Sequence, residues 1–324
     1  MSPSNVDGAA ALPAFTALDT HAVREGERRG ASIQLDTRYF RGQELALQAV
    51  GDGSTLTERR DIASRSRDVY DQVRLDLDAL TRETLESASA KYRRVLQQIP
   101  EVQYLKRNFS ETCFVVPEWL KAGGNVNYGG RVYFFRDEDA PEPTDVLQRN
   151  IEAVVDDDRA RFERYQGILH GYPECCVDYF TDYVRGEETG PELEAVETIA
   201  DRIDDEMISD DVDRSVSIEE ITDGLFEIPQ TYAFFTREFY PEPGCERARR
   251  RGVSIYETLR ETYPGALVDD YFRINVGWSY LMANATAPET EQADRPFPGS
   301  LGWEHLLFYL PLSVALATPR YRSD

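Results

Sequence analysis

The sequence predicts an α+β fold, predominantly helical, with one small antiparallel sheet, and three observations carry that prediction. From residue 59 to 98 apolar side chains recur at spacings of three, four, five and seven, with no Gly or Pro among them, which is the pattern of an amphipathic helix. Two β-branched and aromatic runs, Cys113-Phe-Val-Val and Arg131-Val-Tyr-Phe-Phe, flank the glycine pairs at 123–124 and 129–130, as the strands of a hairpin do. Helical periodicity returns over 144–169, 191–207 and 245–263. With 324 residues, 41% of them apolar, the chain can bury a sizeable core. The expected organisation is a flexible N-terminal arm, residues 1–30, and a single globular domain, residues 31–324.

Taken in order, residues 1–30 are rich in Ala, Gly, Ser, Pro and charge without periodicity, so a loose arm is expected, with His21 solvated in it. The alternation in Ser32-Ile-Gln-Leu-Asp-Thr-Arg-Tyr-Phe predicts a short strand over 32–40. Residues 59–98, through Ile62, Val69, Val73, Leu77, Leu85 and Tyr92, predict one long helix or a helical hairpin. The glycines of the hairpin that follows match no phosphate-binding loop, since no Gly-Lys-Ser/Thr follows them and no Gly-x-Gly-x-x-Gly opens a helix. Thr144 is the expected cap of a helix running through Val146, Leu147, Ile151 and Val154 and on past Phe162 to Leu169. A further helix is expected at 191–207 and a solvated acidic loop at 209–213. The stretch 228–239 is aromatic and mixed, the Tyr and Phe residues from Tyr232 to Tyr240 read as core or pocket wall and not as a base-stacking platform, and the helix of 245–263 is interrupted by Gly252. The apolar run 301–317 contains Glu304, His305 and Pro311 and falls short of the ~20 residues a membrane span needs. A buried or interfacial helix broken at Pro311 is expected there, with His305 a core histidine.

The formal charge of −23 is reached with three lysines (Lys91, Lys106, Lys121) against 33 arginines, and with Asp and Glu spread along the whole chain. Dispersed acidity with lysine nearly eliminated suits molar salt, where a Debye length of about 3 Å screens self-repulsion. A halophilic, archaeal cytoplasm is the expected setting. No basic stripe offers itself to phosphates, so direct nucleic-acid binding is not expected. The N-terminus, Met1-Ser-Pro-Ser-Asn-Val-Asp, has neither the basic nor the apolar region of a secretory signal, and neither export nor membrane insertion is expected. Four cysteines in a reducing compartment are too few for a disulfide scaffold. Metal binding, catalysis or burial remain.

Two stretches hold the legible chemistry. The first is His170-Gly-Tyr-Pro-Glu-Cys-Cys-Val-Asp-Tyr-Phe180, and the second, Phe239-Tyr-Pro-Glu-Pro-Gly-Cys245, repeats its grammar about seventy residues later. Pro173 suits the first turn of a helix and Glu174 suits its positive end. Cys175 and Cys176 then fall in that first turn, and Cys245, after Pro243, stands at another helix start. Unpaired N–H groups and the helix dipole are expected to lower the pKa of thiols placed there. His170, Cys175, Cys176 and Cys245 form the candidate ligand set, thiolate and imidazole together suiting zinc or, with more sulfur, an iron–sulfur cluster. Against this, neighbouring cysteines on a helix point about 100° apart and seldom share an ion. Cys176 also lies on one helical face with Phe180, Tyr183 and Val184, as a small core residue would. Cys113, within a Phe-Val-Val strand, reads as core.

The Gly-Tyr-Pro-Glu-Cys-Cys core, followed by Phe-Tyr-Pro-Glu-Pro-Gly-Cys-Glu-Arg-Ala and then Arg-Gly, resembles the domain of unknown function 483 family of prokaryotic, largely archaeal proteins. The resemblance covers residues 148–263 and implies no activity. It implies a second motif with an additional cysteine near the position of Glu242, where this chain carries a carboxylate. A mixed site with Glu242 as a further ligand, or as a partner of the ligands, is then expected in place of four cysteines. Three functions stay open: a metal-binding protein, a metal-independent thiol enzyme using Cys175 with His170 as base, and a helical interaction protein whose cysteines are core.

Overall fold

The computed structural model describes residues 12–35, 37–51, 80–97, 99–108, 112–122, 125–136, 140–185, 225–236, 239–286 and 303–322, with a few single positions between them. The helix expected at 191–207, the acidic loop at 209–213 and nearly all of 59–79 lie outside the described residues. In chain order the helices are α1 Ala14–Arg24, α2 Thr37–Val50, α3 Arg82–Leu96, α4 Pro100–Asn108, α5 Pro143–Val155, α6 Arg159–Leu169, α7 Glu174–Arg185, α8 Glu246–Arg260, α9 Gly265–Thr286, α10 Trp303–Leu307 and α11 Leu312–Leu316. The strands are β1 Gly30–Leu35, β2 Cys113–Ala122 and β3 Asn125–Phe135. The fold is thus α+β and predominantly helical, with one small antiparallel sheet. The chain gathers into two compact units, one of Met1–Leu12 and Arg28–His170, the other of Pro13–Glu27 and Gly171–Asp324.

The first unit is built on the sheet, in the order β1-β3-β2, with Cys113 opposite Phe134 and Gly30 opposite Phe135. β1 stops at Leu35, short of the strand expected through residue 40. Tyr39 and Phe40 are both buried, which consecutive residues achieve on one helix face but not on one face of a strand. They open α2, where the Gln43 amide donates to the Tyr39 hydroxyl at 3.2 Å. α3 starts in a capping box of Thr81 and Thr84. α5 starts at Pro143 with Glu142 at its cap, two residues earlier than the expected cap Thr144, because proline is preorganised for the first helical residue. The expected run to Leu169 is two helices. Asp157 takes a left-handed φ of 57°, and Asp158 accepts from the Arg161 N–H at 3.2 Å to begin α6.

Trp119 is the centre of this unit's core, with Tyr133, Phe135, Leu85, Val146 and Ile151. Its indole donates to Ser89 at 2.8 Å. Its backbone N–H donates to Asn150 Oδ1 at 2.8 Å, and its carbonyl accepts from Asn150 Nδ2 at 3.0 Å. One amide side chain of α5 therefore completes the outer edge of β2 at that residue. Pro117, two residues earlier, has the same orientation, so the N–H it lacks would have faced away from β3; proline is tolerated on such an edge.

The second unit contains α1, where a loose arm was expected. Phe15, Leu18, Ala22 and Val23 are buried, and the N–H groups of Ala14 and Phe15 donate to the carbonyls of Leu310 at 2.9 Å and Phe308 at 3.3 Å. His21, expected in solvent, lies edge-on to Tyr263, with ring centroids 5.3 Å apart. Burial lowers its pKa, offset in part by Glu25. α8 runs unbroken through Gly252, the expected interruption. A Cβ there would stand 1.5 Å from the Tyr232 carbonyl oxygen, so the glycine serves close approach and not a break. On α9, Asp270 is fully buried and accepts from Arg320 at 2.5 and 2.9 Å and from the Tyr321 hydroxyl at 2.9 Å. The run 301–317 forms α10 and α11, separated at Pro311 as expected. Among the described residues, no helix is long and apolar enough to cross a membrane.

Candidate metal centre

The site is assembled where two short segments of the second unit turn into helices. Gly171 takes φ 76°, a left-handed conformation natural to glycine, and its carbonyl accepts from the Arg251 guanidinium. Tyr172 stacks on Phe239 with centroids 4.1 Å apart, and its hydroxyl lies 2.8 Å from that of Thr236. These contacts hold residues 171–172 against Thr236, Phe239 and Arg251. Val177 N–H reaches the Pro173 carbonyl at 3.0 Å, so Cys175 and Cys176 lie in the first turn of α7, as their sequence predicts.

The second segment is a tight turn. Cys245 N–H donates to the Glu242 carbonyl at 3.0 Å and Gly244 takes φ 72°, the pattern of a turn with proline and then glycine at its centre. Cys245 is the N-cap of α8, its sulfur accepting from the Ala248 N–H at 3.5 Å. Cys176 Sγ accepts from the Glu242 N–H at 3.3 Å. Cys175 Sγ lies 3.4 Å from Cys245 Sγ. All three sulfurs fall within 4.8 Å of one another, and two of them already take backbone N–H bonds of the kind that favour a thiolate.

Cys175 and Cys176 do not have the lowered pKa that their helix start predicts. Burial pushes Cys175 up to about 11, helped by the neighbouring Cys245 thiol and by hydrogen bonding to the Glu242 carboxylate. Burial pushes Cys176 still higher, with Cys245 and Cys175 adding to it and the Glu242 backbone opposing it. Without a cation, a second negative charge among three sulfurs costs more than a helix terminus returns. Two thiols held protonated beside a third sulfur make a good cation trap, since one cation can replace their protons together.

The three-sulfur group does not include His170. That residue caps α6 in the first unit, where it is buried, with its N–H bonded to the Gln166 carbonyl at 2.9 Å and its ring stacked on Tyr133. Burial, then Arg28 and Arg131, hold its pKa well below the usual histidine value, so its ring is neutral at neutral pH. Glu242 is outside the group too, yet touches it twice, through its backbone N–H on Cys176 and its carboxylate on Cys175. Cys113 is a buried strand residue whose thiol is pushed up to about 12 by burial. His305 stacks on Trp278. The residues that sequence reasoning missed are Arg251, Tyr172 and Thr236, which fix the two cysteine segments. The tyrosine within Gly-Tyr-Pro was the only one with a local signal.

The second unit therefore defines a class: a helical protein with three convergent thiols at two helix starts. Comparison with protein-family models, with curated proteins and with solved structures gives no match.

Proposed function

We propose that Cys175, Cys176 and Cys245 bind one zinc ion as thiolates, with the Glu242 carboxylate as the fourth ligand, and that the site is a structural brace between the starts of α7 and α8. The observation that carries this reading is the convergence of three sulfurs within 4.8 Å. Zn–S bonds of about 2.3 Å place tetrahedral thiolates about 3.8 Å apart, a spacing these side chains reach by small rotations. An iron–sulfur cluster is the weaker fit, because its cysteines bind different irons and stand further apart than ligands sharing one ion. The N–H bonds from Glu242 and Ala248 to sulfur supply the outer contacts that orient zinc thiolates. Four protein ligands close the coordination shell, which is the arrangement of a structural site. We also propose membership of the domain of unknown function 483 family, on the Gly-Tyr-Pro-Glu-Cys-Cys motif.

The test is metal content and its ligands. The chain purified anaerobically in high salt is expected to carry one zinc and no iron. Cobalt substituted for zinc should give the charge-transfer bands of thiolate coordination. A chain that takes up neither metal while its thiols remain reduced overturns the reading.

A further inference from the structure

The three sulfurs of the cysteine group are not equivalent. Cys175 is the most accessible, whereas Cys176 is 1% and Cys245 7% exposed. Cys175 and Cys245 lie 3.4 Å apart, sulfur to sulfur, and need close by only about 1.4 Å to reach disulfide bonding distance. They belong to different segments, the first turn of α7 and the cap of α8. Cys175 and Cys176 are consecutive on a helix and their side chains diverge by about 100°. Cys176 is also engaged by the Glu242 N–H.

We infer that Cys175 and Cys245 are an oxidation site that forms one specific, reversible disulfide with a peroxide as oxidant. The pair does not need the metal. Its consequence for the metal rests on the zinc reading above: two of three thiolates are withdrawn at once and the ion is released.

The reaction balances in two steps. Cys175 sulfur attacks a peroxide oxygen, the O–O bond breaks, and a sulfenic acid and one water form. Cys245 sulfur then attacks the Cys175 sulfur, the S–S bond forms as the S–O bond breaks, and the departing hydroxide takes the remaining thiol proton as a second water. Two electrons pass from the sulfurs to the peroxide. Cys245 is buried beside its target and acts as the resolving thiol, faster than a second peroxide can carry Cys175 on to sulfinic acid.

The experiment treats the full chain, metal-free and zinc-loaded, with one equivalent of hydrogen peroxide, and maps cysteine peptides without reduction. The expected product in both forms is the peptide linking Cys175 to Cys245, undone by dithiothreitol. In the loaded form one zinc should appear in a colorimetric chelator per disulfide. Cys176→Ser should keep the link, and Cys245→Ser should instead leave Cys175 as a sulfenic acid trapped by dimedone. A Cys175–Cys176 or Cys176–Cys245 link, or sulfinic acid at Cys175 with no link, overturns the inference. If the disulfide forms in a chain that binds no zinc, the inference stands and the zinc reading falls. If zinc binds and no such disulfide forms, the reverse holds.

Discussion

Cys113 in the sheet of the first unit and the three cysteines of the second are all withdrawn from solvent to some degree, and burial raises the thiol pKa in both places. Cys113 is surrounded by strand neighbours and acts as a small apolar side chain. Cys175, Cys176 and Cys245 are surrounded by one another, by N–H donors and by a carboxylate. A raised pKa is therefore no mark of a site. Convergence of several protonated thiols around one point is, because a cation can replace their protons together.

The comparison can be broken most sharply by metal affinity. Cys175→Ser or Cys245→Ser should weaken zinc binding by at least about a thousandfold, roughly 4 kcal/mol, whereas Cys113→Ser should leave it unchanged; competition with a chromogenic chelator measures both. The two regions also differ in how affinity responds to acid. Cys175 and Cys176 keep their protons in the metal-free chain, so zinc must displace them. Affinity should then fall at least about tenfold for each pH unit lowered between 8 and 6, and a pH-independent affinity would show that the thiols are not the ligands.

Alkylation sharpens the contrast within the cluster. With its pKa held near 11, Cys175 of the metal-free chain should react with iodoacetamide at pH 8 about a hundredfold more slowly than a free thiol of ordinary pKa, since only the thiolate attacks. A fast-reacting Cys175 would restore the thiol-enzyme alternative. Smaller effects test packing. Gly252→Ala drives a methyl into the Tyr232 carbonyl and should cost about 2–3 kcal/mol in thermal or urea unfolding. Cys113→Ser should cost about 1–2 kcal/mol by placing an unpartnered hydroxyl in the core.

The sequence made the fold class, the hairpin, the break at Pro311 and the two cysteine-bearing helix starts legible, since each rests on a local rule: alternation, glycine punctuation, or proline before a first turn. It failed where tertiary contact decides. Helix α1 was hidden among Ala, Ser and Gly, although Phe15, Leu18 and Ala22 have helical spacing, because its first N–H groups are satisfied by Phe308 and Leu310 from the far end of the chain. Gly252 read as a break because nothing local shows that Tyr232 packs against it. His170 was grouped with the cysteines for its nearness in sequence, yet it ends α6 against Tyr133. The helix-start argument for a lowered thiol pKa holds for a cysteine alone and fails for Cys175 and Cys176, which are withdrawn from solvent among other sulfurs.

The Asn150 amide against Trp119 has a consequence for colloidal behaviour. A side-chain amide presents one donor and one acceptor with the geometry of a peptide group, so at Trp119 the outer edge of β2 is occupied as if by a strand one residue long. Without it, an unsatisfied edge flanked by apolar residues is a template on which another chain can add. Charge repulsion between molecules is screened as salt rises, whereas steric and hydrogen-bond occupancy of that edge is not. Loss of this single amide would open the edge at Trp119 to a neighbouring molecule without unfolding the rest of the sheet.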